Sequence, residues 1–296
     1  MNITASLGRA AGEGVSGTSS GIGYIDLDHV VLTVPNLSDA VSALFSFGLV
    51  AAPPQLAGRS DDCVPGVRHL VFETVNGHDD VANMIVLSQP GPPAPVLVAA
   101  SPDLEATRLW LEGRGLDNGA SVSVPDRTWL DPTDGSRQPI RASRLSMSPS
   151  APMMVNATHA DAIATYHRAG FHRHHFGIRR MAGVSIVAPD GEGVCNWLAE
   201  ILTGSVAQLP DGSFITLTRD CFLRVLPAPE GAIGPVVTGI TFEVDDAERY
   251  IAALNPKLRG TAEHGDVGEY HFNASPFPGV AITFADVRAL DVLRGH

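Results

Sequence analysis

Leu27-Asp28-His29-Val30-Val31-Leu32-Thr33-Val34-Pro35-Asn36-Leu37-Ser38-Asp39-Ala40-Val41 is an apolar strand with one histidine near its start, running straight into a capped amphipathic helix. The β-branched residues Val30, Val31, Thr33 and Val34 favour a half-buried extended backbone, and Pro35-Asn36 stops it. Leu37, Val41, Leu44 and Phe45 then fall at i, i+4, i+7 and i+8, Asn36 or Ser38 can cap the helix, and Gly48 offers a left-handed stop. This spacing predicts one buried helix face.

The strand-then-helix pattern recurs three times. Residues 96–100 lead into Pro102, suited to a first helical turn, with a stop near Gly113 or Gly115. Residues 184–187 lead past Asp190 into Val194, Trp197, Leu198, Ile201 and Leu202, on one helical face before Gly204. Residues 240–244 lead to the capping-box pattern Asp245-Asp246-Ala247-Glu248, with Tyr250, Ile251 and Leu254 facing inward and Pro256 as a stop. Alternating segments that read as strands follow each helix: 67–73 and 83–88, 120–124 and 141–147, 214–218 and 222–226, 269–273 and 280–284.

These patterns predict an α+β fold of four βαβββ-type units, paired into two cupped mixed sheets with helices on the outer faces. The expected division is a flexible tail over 1–24, a first paired domain over 25–150 (units about 25–90 and 95–150), a connecting segment over 151–180, and a second paired domain over 181–296 (units about 181–228 and 235–288).

With 20 basic against 32 acidic residues, formally −12, the chain is a poor partner for nucleic acid or an anionic membrane, so a small-molecule ligand is expected. Its apolar runs fall short of the roughly 18–20 residues needed to span a bilayer. Cys63, Cys195 and Cys221 form no close-spaced pair, which suits a reducing, cytoplasmic setting. Gly17-Thr18-Ser19-Ser20-Gly21-Ile22-Gly23 looks like a dinucleotide loop, but no strand precedes it and no helix follows, so no nucleotide cofactor is expected.

The Asp28-His29 strand and the fourfold unit resemble the vicinal oxygen chelate superfamily, which includes glyoxalases, extradiol dioxygenases and bleomycin-resistance proteins. The resemblance covers about residues 25–286 and is nearest to the large glyoxalase-like branch. It implies a cup that binds a divalent metal (Fe, Zn, Mn or Ni), with His29 as the first-strand ligand and His159, after the apolar stretch 153–158, as a second. The family's carboxylate position falls on Val86 and its fourth-unit counterpart on Thr283, neither of which is a carboxylate. The family's His-Pro-Asn-Gly signature corresponds to His174-His175-Phe176-Gly177. The implied activity is lyase, isomerase or dioxygenase chemistry, or metal-free sequestration of a small ligand in the same cup.

Two histidines and one carboxylate leave coordination positions open for substrate or oxygen, and the Val86 position removes the charged donor. Candidate substitutes are His69, Glu73, Asp79 and Asp80. Glu73 is also the candidate catalytic carboxylate, beside Glu243 on another apolar strand. Arg173, His174 and Arg179 belong to the most positive stretch, which reads either as a dock for a substrate carboxylate or phosphate or as a solvated loop. His264 and His271 read as surface or packing residues. Ala182 or Gly239 takes the place of His29 in the second pair of units, which suits a scaffold or a homodimer surface.

Overall fold

The computed structural model describes residues 26–53, 55–57, 65–73, 83–89, 95–114, 121–123, 127–130, 134–139, 144–146, 153–157, 164, 166–218, 221–229, 231, 234–273 and 277–294. The expected tail, His159, Asp79 and Asp80 lie outside these residues.

Strand β1 (Asp26–Thr33) leads into helix α1 (Leu37–Ser46), capped by Asn36, whose Oδ1 accepts from the Ser38 and Asp39 N–H groups at 2.8 and 3.2 Å. Gly48 ends the turn with φ +85, as its residue type allows. Strands β2 (Gln55–Ala57), β3 (Pro65–Val71) and β4 (Met84–Ser88) complete the first unit. The second unit runs β5 (Val96–Ser101), α2 (Leu104–Gly113), β6 (Ser121–Ser123), β7 (Arg127–Leu130), β8 (Arg137–Pro139), β9 (Arg144–Ser146) and β10 (Met153–Ala157). Asp103 rather than Pro102 begins α2, because its carboxylate accepts from the Glu105 and Ala106 N–H groups.

These strands form one ten-stranded sheet in the order β6-β9-β10-β5-β1-β4-β3-β2-β7-β8. Two of its features depart from the sequence expectation. Strand β10 falls within the expected connecting segment yet pairs in parallel with β5, since its apolar residues find an open ladder there. The β7-β8 hairpin was not foreseen, and it adds to β2 at the far edge from β6. Eight strand spacings separate β6 from β7 in the order, about 38 Å if flat, yet Ser123 and Arg127 are four residues apart, a reach of about 15 Å. The sheet must therefore curl until its two ends approach, which makes its concave face a cup.

The second sheet has the order β12-β13-β14-β11-β15-β18-β17-β16. Its third unit is β11 (Ile178–Ala188), α3 (Gly191–Ile201), β12 (Ser205–Gln208), β13 (Phe214–Leu217) and β14 (Phe222–Pro227). The fourth is β15 (Val236–Val244), the helices α4 (Ala247–Ala253) and α5 (Pro256–Arg259), β16 (Glu263–His264), β17 (Tyr270–Phe272) and β18 (Ala281–Ala285), followed by helix α6 (Val287–Leu293). In both sheets the first strands of paired units run antiparallel at the centre, and each pairs in parallel with the last strand of its own unit.

One main core fills the outer side of both sheets. Val30, Leu32, Leu44 and Leu97 join Val184, Ile186, Leu198, Phe242 and Phe284 in it. Each fully buried side chain of this kind contributes about 1.5–3 kcal/mol. The two domains meet through this core, with Phe47 edge-on to Phe272 at 5.1 Å between ring centroids and Tyr250 Oη donating to the Phe47 carbonyl at 3.1 Å. Burial pushes the Tyr250 phenol well above its ordinary pKa. Asn83, 3% exposed, pairs its side-chain amide with the Met181 main chain in both directions, at 2.9 and 2.8 Å. Alternation then turns the odd-numbered residues of β1 from His29 onward toward the cup.

Candidate functional site

The cup of the first sheet is built from Val31, Val67, Val71, Met84, Val86 and Val98, closed over by Tyr166 with Phe171 beside it. His29 pairs with Met84 on one side and Val98 on the other, so its side chain enters this apolar surface. The β1–β5 register slips between Leu27 and His29, which makes Asp28 the extra residue of a β-bulge. In a regular strand the Asp28 and His29 side chains would point to opposite faces; the bulge lets them meet. The Asp28 carboxylate accepts from His29 Nδ1 at 2.5 Å, and the two residues are 2% and 4% exposed. With Nδ1 carrying the proton, Nε2 presents its lone pair, and it has no hydrogen-bond partner among the described residues.

Val86, where the resemblance implies a carboxylate, sits beside Val31 in the parallel ladder, 5% exposed and packed among the cup valines. It offers no donor atom. His69 shares the Val86 row on β3, with Nδ1 3.4 Å from Tyr166 Oη, but it is two strands and two residues from His29. Ring nitrogens on one metal should lie within roughly 3–4 Å of each other, given bonds of about 2.0–2.1 Å. Among the described residues, no three His, Cys, Asp or Glu side chains come together as a metal-holding group.

The other expected site residues are placed elsewhere. Glu73 and Arg179, read from sequence as a catalytic carboxylate and a substrate-binding cation, pair with each other at 3.6 Å, each about half exposed. Arg179 also donates to Asp245 at 2.6 Å. Complementary charges thus meet where the two domains join, and Glu73 bonds neither His29 nor His69. His174 bonds main chain on both sides. Its Nδ1 accepts from the Val50 N–H at 2.9 Å and its Nε2 donates to the Val71 carbonyl at 3.0 Å, so both nitrogens are used by main chain. Burial pushes its pKa down to about 4, which keeps the ring neutral. Arg173 is exposed. His172 keeps a buried Nδ1 without a hydrogen-bond partner among the described residues, and burial, then the neighbouring His167 and Arg173, lowers its pKa. Glu243 holds Arg180 at 2.7 Å.

The second sheet repeats the ladder with different side chains. Its β11–β15 register slips between Met181 and Gly183, and Gly183 pairs with Phe222 of the parallel strand, as His29 pairs with Met84. Gly183 is therefore the counterpart of His29 and Ala182 the counterpart of Asp28, one residue from the sequence alignment. Arg224 corresponds to Val86 and is held by Ser213 and Asp211. A Cβ on Gly183 would lie 2.3 Å from the Phe222 ring, so the aromatic side chain occupies the space a histidine would need.

No protein-family model matches the sequence, and no curated protein matches it. Solved structures do. The Mn(II)-bound glyoxalase of Novosphingobium aromaticivorans aligns with 90% of this chain and 83% of its own, at 14% identity and a TM-score of 0.54. A catechol 2,3-dioxygenase aligns over 90% and 89% at 13% identity and a TM-score of 0.53. The chain has the vicinal oxygen chelate fold. A hypothetical protein from Staphylococcus aureus shares this fold over 89% of the chain and all of its own, at 8% identity and a TM-score of 0.56. Among the described residues no helix is long and apolar enough to cross a membrane. The sequence missed the bulge that joins Asp28 to His29, since a bulge is a property of two paired strands; Asp preceding His was its one visible trace.

Proposed function

We propose that the first cup is the working site, and that it takes a small, largely apolar organic molecule whose polar group meets His29 Nε2. The observation that carries this reading is a histidine oriented by Asp28 in a valine-lined cup, with apolar Met84, Val86 and Val98 around it and His69 farther along the same face. Asp28 fixes the tautomer, so Nε2 can accept a hydrogen bond from a hydroxyl or take a proton from an acidic carbon or oxygen, while the apolar walls exclude water from that exchange. The reading is metal-independent, because among the described residues no three His, Cys, Asp or Glu side chains gather as a metal-holding group. It retains a glyoxalase-like protein acting on a small organic ligand and favours sequestration or acid–base chemistry over Lewis-acid chemistry. A homodimer and a cytoplasmic setting are compatible with it.

One observation favours a second reading, with a divalent metal held by His29 and His159. A carboxylate at Nδ1 that leaves Nε2 free to donate its lone pair is the arrangement metal-binding histidines use. The Novosphingobium neighbour is described as Mn(II)-bound. The two readings separate in one experiment. Tag-free protein and His29→Ala are analysed for bound metal, and both are titrated with a panel of phenols and small carbonyl compounds with and without chelator. Binding that survives chelation and disappears in His29→Ala supports the metal-free reading. Stoichiometric metal lost on His29→Ala, with ligand binding that fails after chelation, overturns it.

A further inference from the structure

The predicted architecture places all helices on the outer faces, and α6 departs from this. It leaves β18 and folds back across the inner face of the second sheet, where Ala289 and Leu290 pack against Ala182, Ile215, Phe222 and Ala285. Ala182 and Phe222 stand where Asp28 and Met84 stand in the first sheet, so the helix lies at the level of the cup where His29 projects. This cluster is separate from the main core, which fills the opposite face of the same strands.

We infer that the second cup is a small-molecule site whose resident occupant is the chain's own α6, and that an apolar ligand enters it by displacing that helix. This inference stands independently of the reading of the first cup. The helix has seven residues, and helices this short are marginal without tertiary support, so its order depends on the cup beneath it and on the Asp286 cap. Asp286 accepts from the Arg288 and Ala289 N–H groups at 3.0 and 3.1 Å. Of its apolar residues Ala289 and Leu290 are buried, while Val287 and Val292 are more than half exposed. Departure of α6 would therefore uncover a patch of the inner face without breaching the main core.

The chemistry of the uncovered surface defines the ligand class. Phe222, Ile215 and Ala285 give an apolar floor. Beside it runs a polar row on the same face, in which His271 pairs with Thr283 and Thr283 with Thr241 across the ladder, and His271 Nδ1 lies 2.9 Å from Thr283 Oγ1. His271 Nε2 is held by the Glu269 carboxylate at 3.1 Å, so a small apolar molecule with one neutral polar end matches this arrangement.

The test uses the full chain with Leu290→Ser, read by hydrogen exchange and by titration with 8-anilinonaphthalene-1-sulfonate. The expected result is that amides of 287–294 exchange roughly tenfold or more faster while those of β11 and β15 keep their protection. The variant should also bind one dye molecule more tightly than the parent, including when His29→Ala is added, which separates this site from the first cup. Uniform loss of protection across β11–β18 would show that α6 is integral to the domain and overturn the proposal. Release of α6 without a gain in dye binding would overturn it equally. A second variant, Val292→Ser on the exposed face, should change neither readout; if it matches Leu290→Ser, the effect is not displacement from the cup.

Discussion

At one point of a shared ladder the first cup carries Asp28 and His29, and the second carries Ala182 and Gly183. The neighbouring parallel strand answers with Met84 and Val86 in the first case and with Phe222 and Arg224 in the second. The bulge is common to both, so it belongs to the fold rather than to a chemistry. What differs is what fills the space inside it. An oriented imidazole faces the first cup, while a phenyl ring and a short helix fill the second. The same backbone can thus hold a reactive group or its own apolar plug, and side-chain volume at two positions decides which.

The strongest way to break this comparison is to exchange its contents. Gly183→His puts the residue of the first cup into the second, where its Cβ would meet the Phe222 ring at 2.3 Å, and it should cost about 3–5 kcal/mol. Adding Phe222→Met, the first-cup counterpart, should recover part of that loss in urea unfolding; no recovery would mean that the ring is not the obstacle. The reverse exchange in the first cup is Val86→Glu, which places a carboxylate among valines beside His29. A drop of about 2–4 kcal/mol is expected in metal-free buffer. Added Mn or Zn should raise the melting temperature of this variant and leave the parent unmoved; an equal rise in both would show that the parent already holds a metal site.

Between the domains, His174 should make stability depend on pH. Its folded pKa is about 4 against an ordinary 6.5, so between these values the unfolded chain binds more protons. Its contribution is therefore complete above pH 6.5 and is lost as the pH falls toward 4, by up to about 3 kcal/mol. Urea midpoints across that window should slope downward with acid, and His174→Gln should flatten the slope; an unchanged slope would place the titrating group elsewhere. The smallest effect is expected from Asp28→Asn, about 1–2 kcal/mol, because a neutral acceptor replaces a charged one at His29 Nδ1. Its sharper readout is the His29 tautomer by nitrogen NMR, which should shift from a single form to a mixture.

Much of the fold was legible. The spacing of Leu37 and Leu44, with Val30 and Leu32 before them, encodes a strand and a helix that share one buried side, and these four residues do meet in the main core. Val86 was legible too, as an apolar residue where the resemblance implies a carboxylate, and the structure packs it among valines. His174 was not legible as a clamp, because a histidine between arginines looks like a charged site until Val50 and Val71 are seen to take both its nitrogens. Arg179 and Glu73 were read as separate site residues, and their pairing depends on a chain separation that periodicity does not encode.

The sequence by itself determined the strand and helix pattern, the residue types on each face, and the absence of a carboxylate at position 86. Periodicity suffices for that, because alternation and helical repeat register which side of an element avoids water. Only the tertiary structure decided that Asp28 turns to His29, that β7-β8 adds to the far edge of the first sheet, and that α6 lies in the second cup. Each of these depends on which distant strand completes a ladder or which apolar surface is left to cover, and pairing between distant segments is set by the whole chain at once.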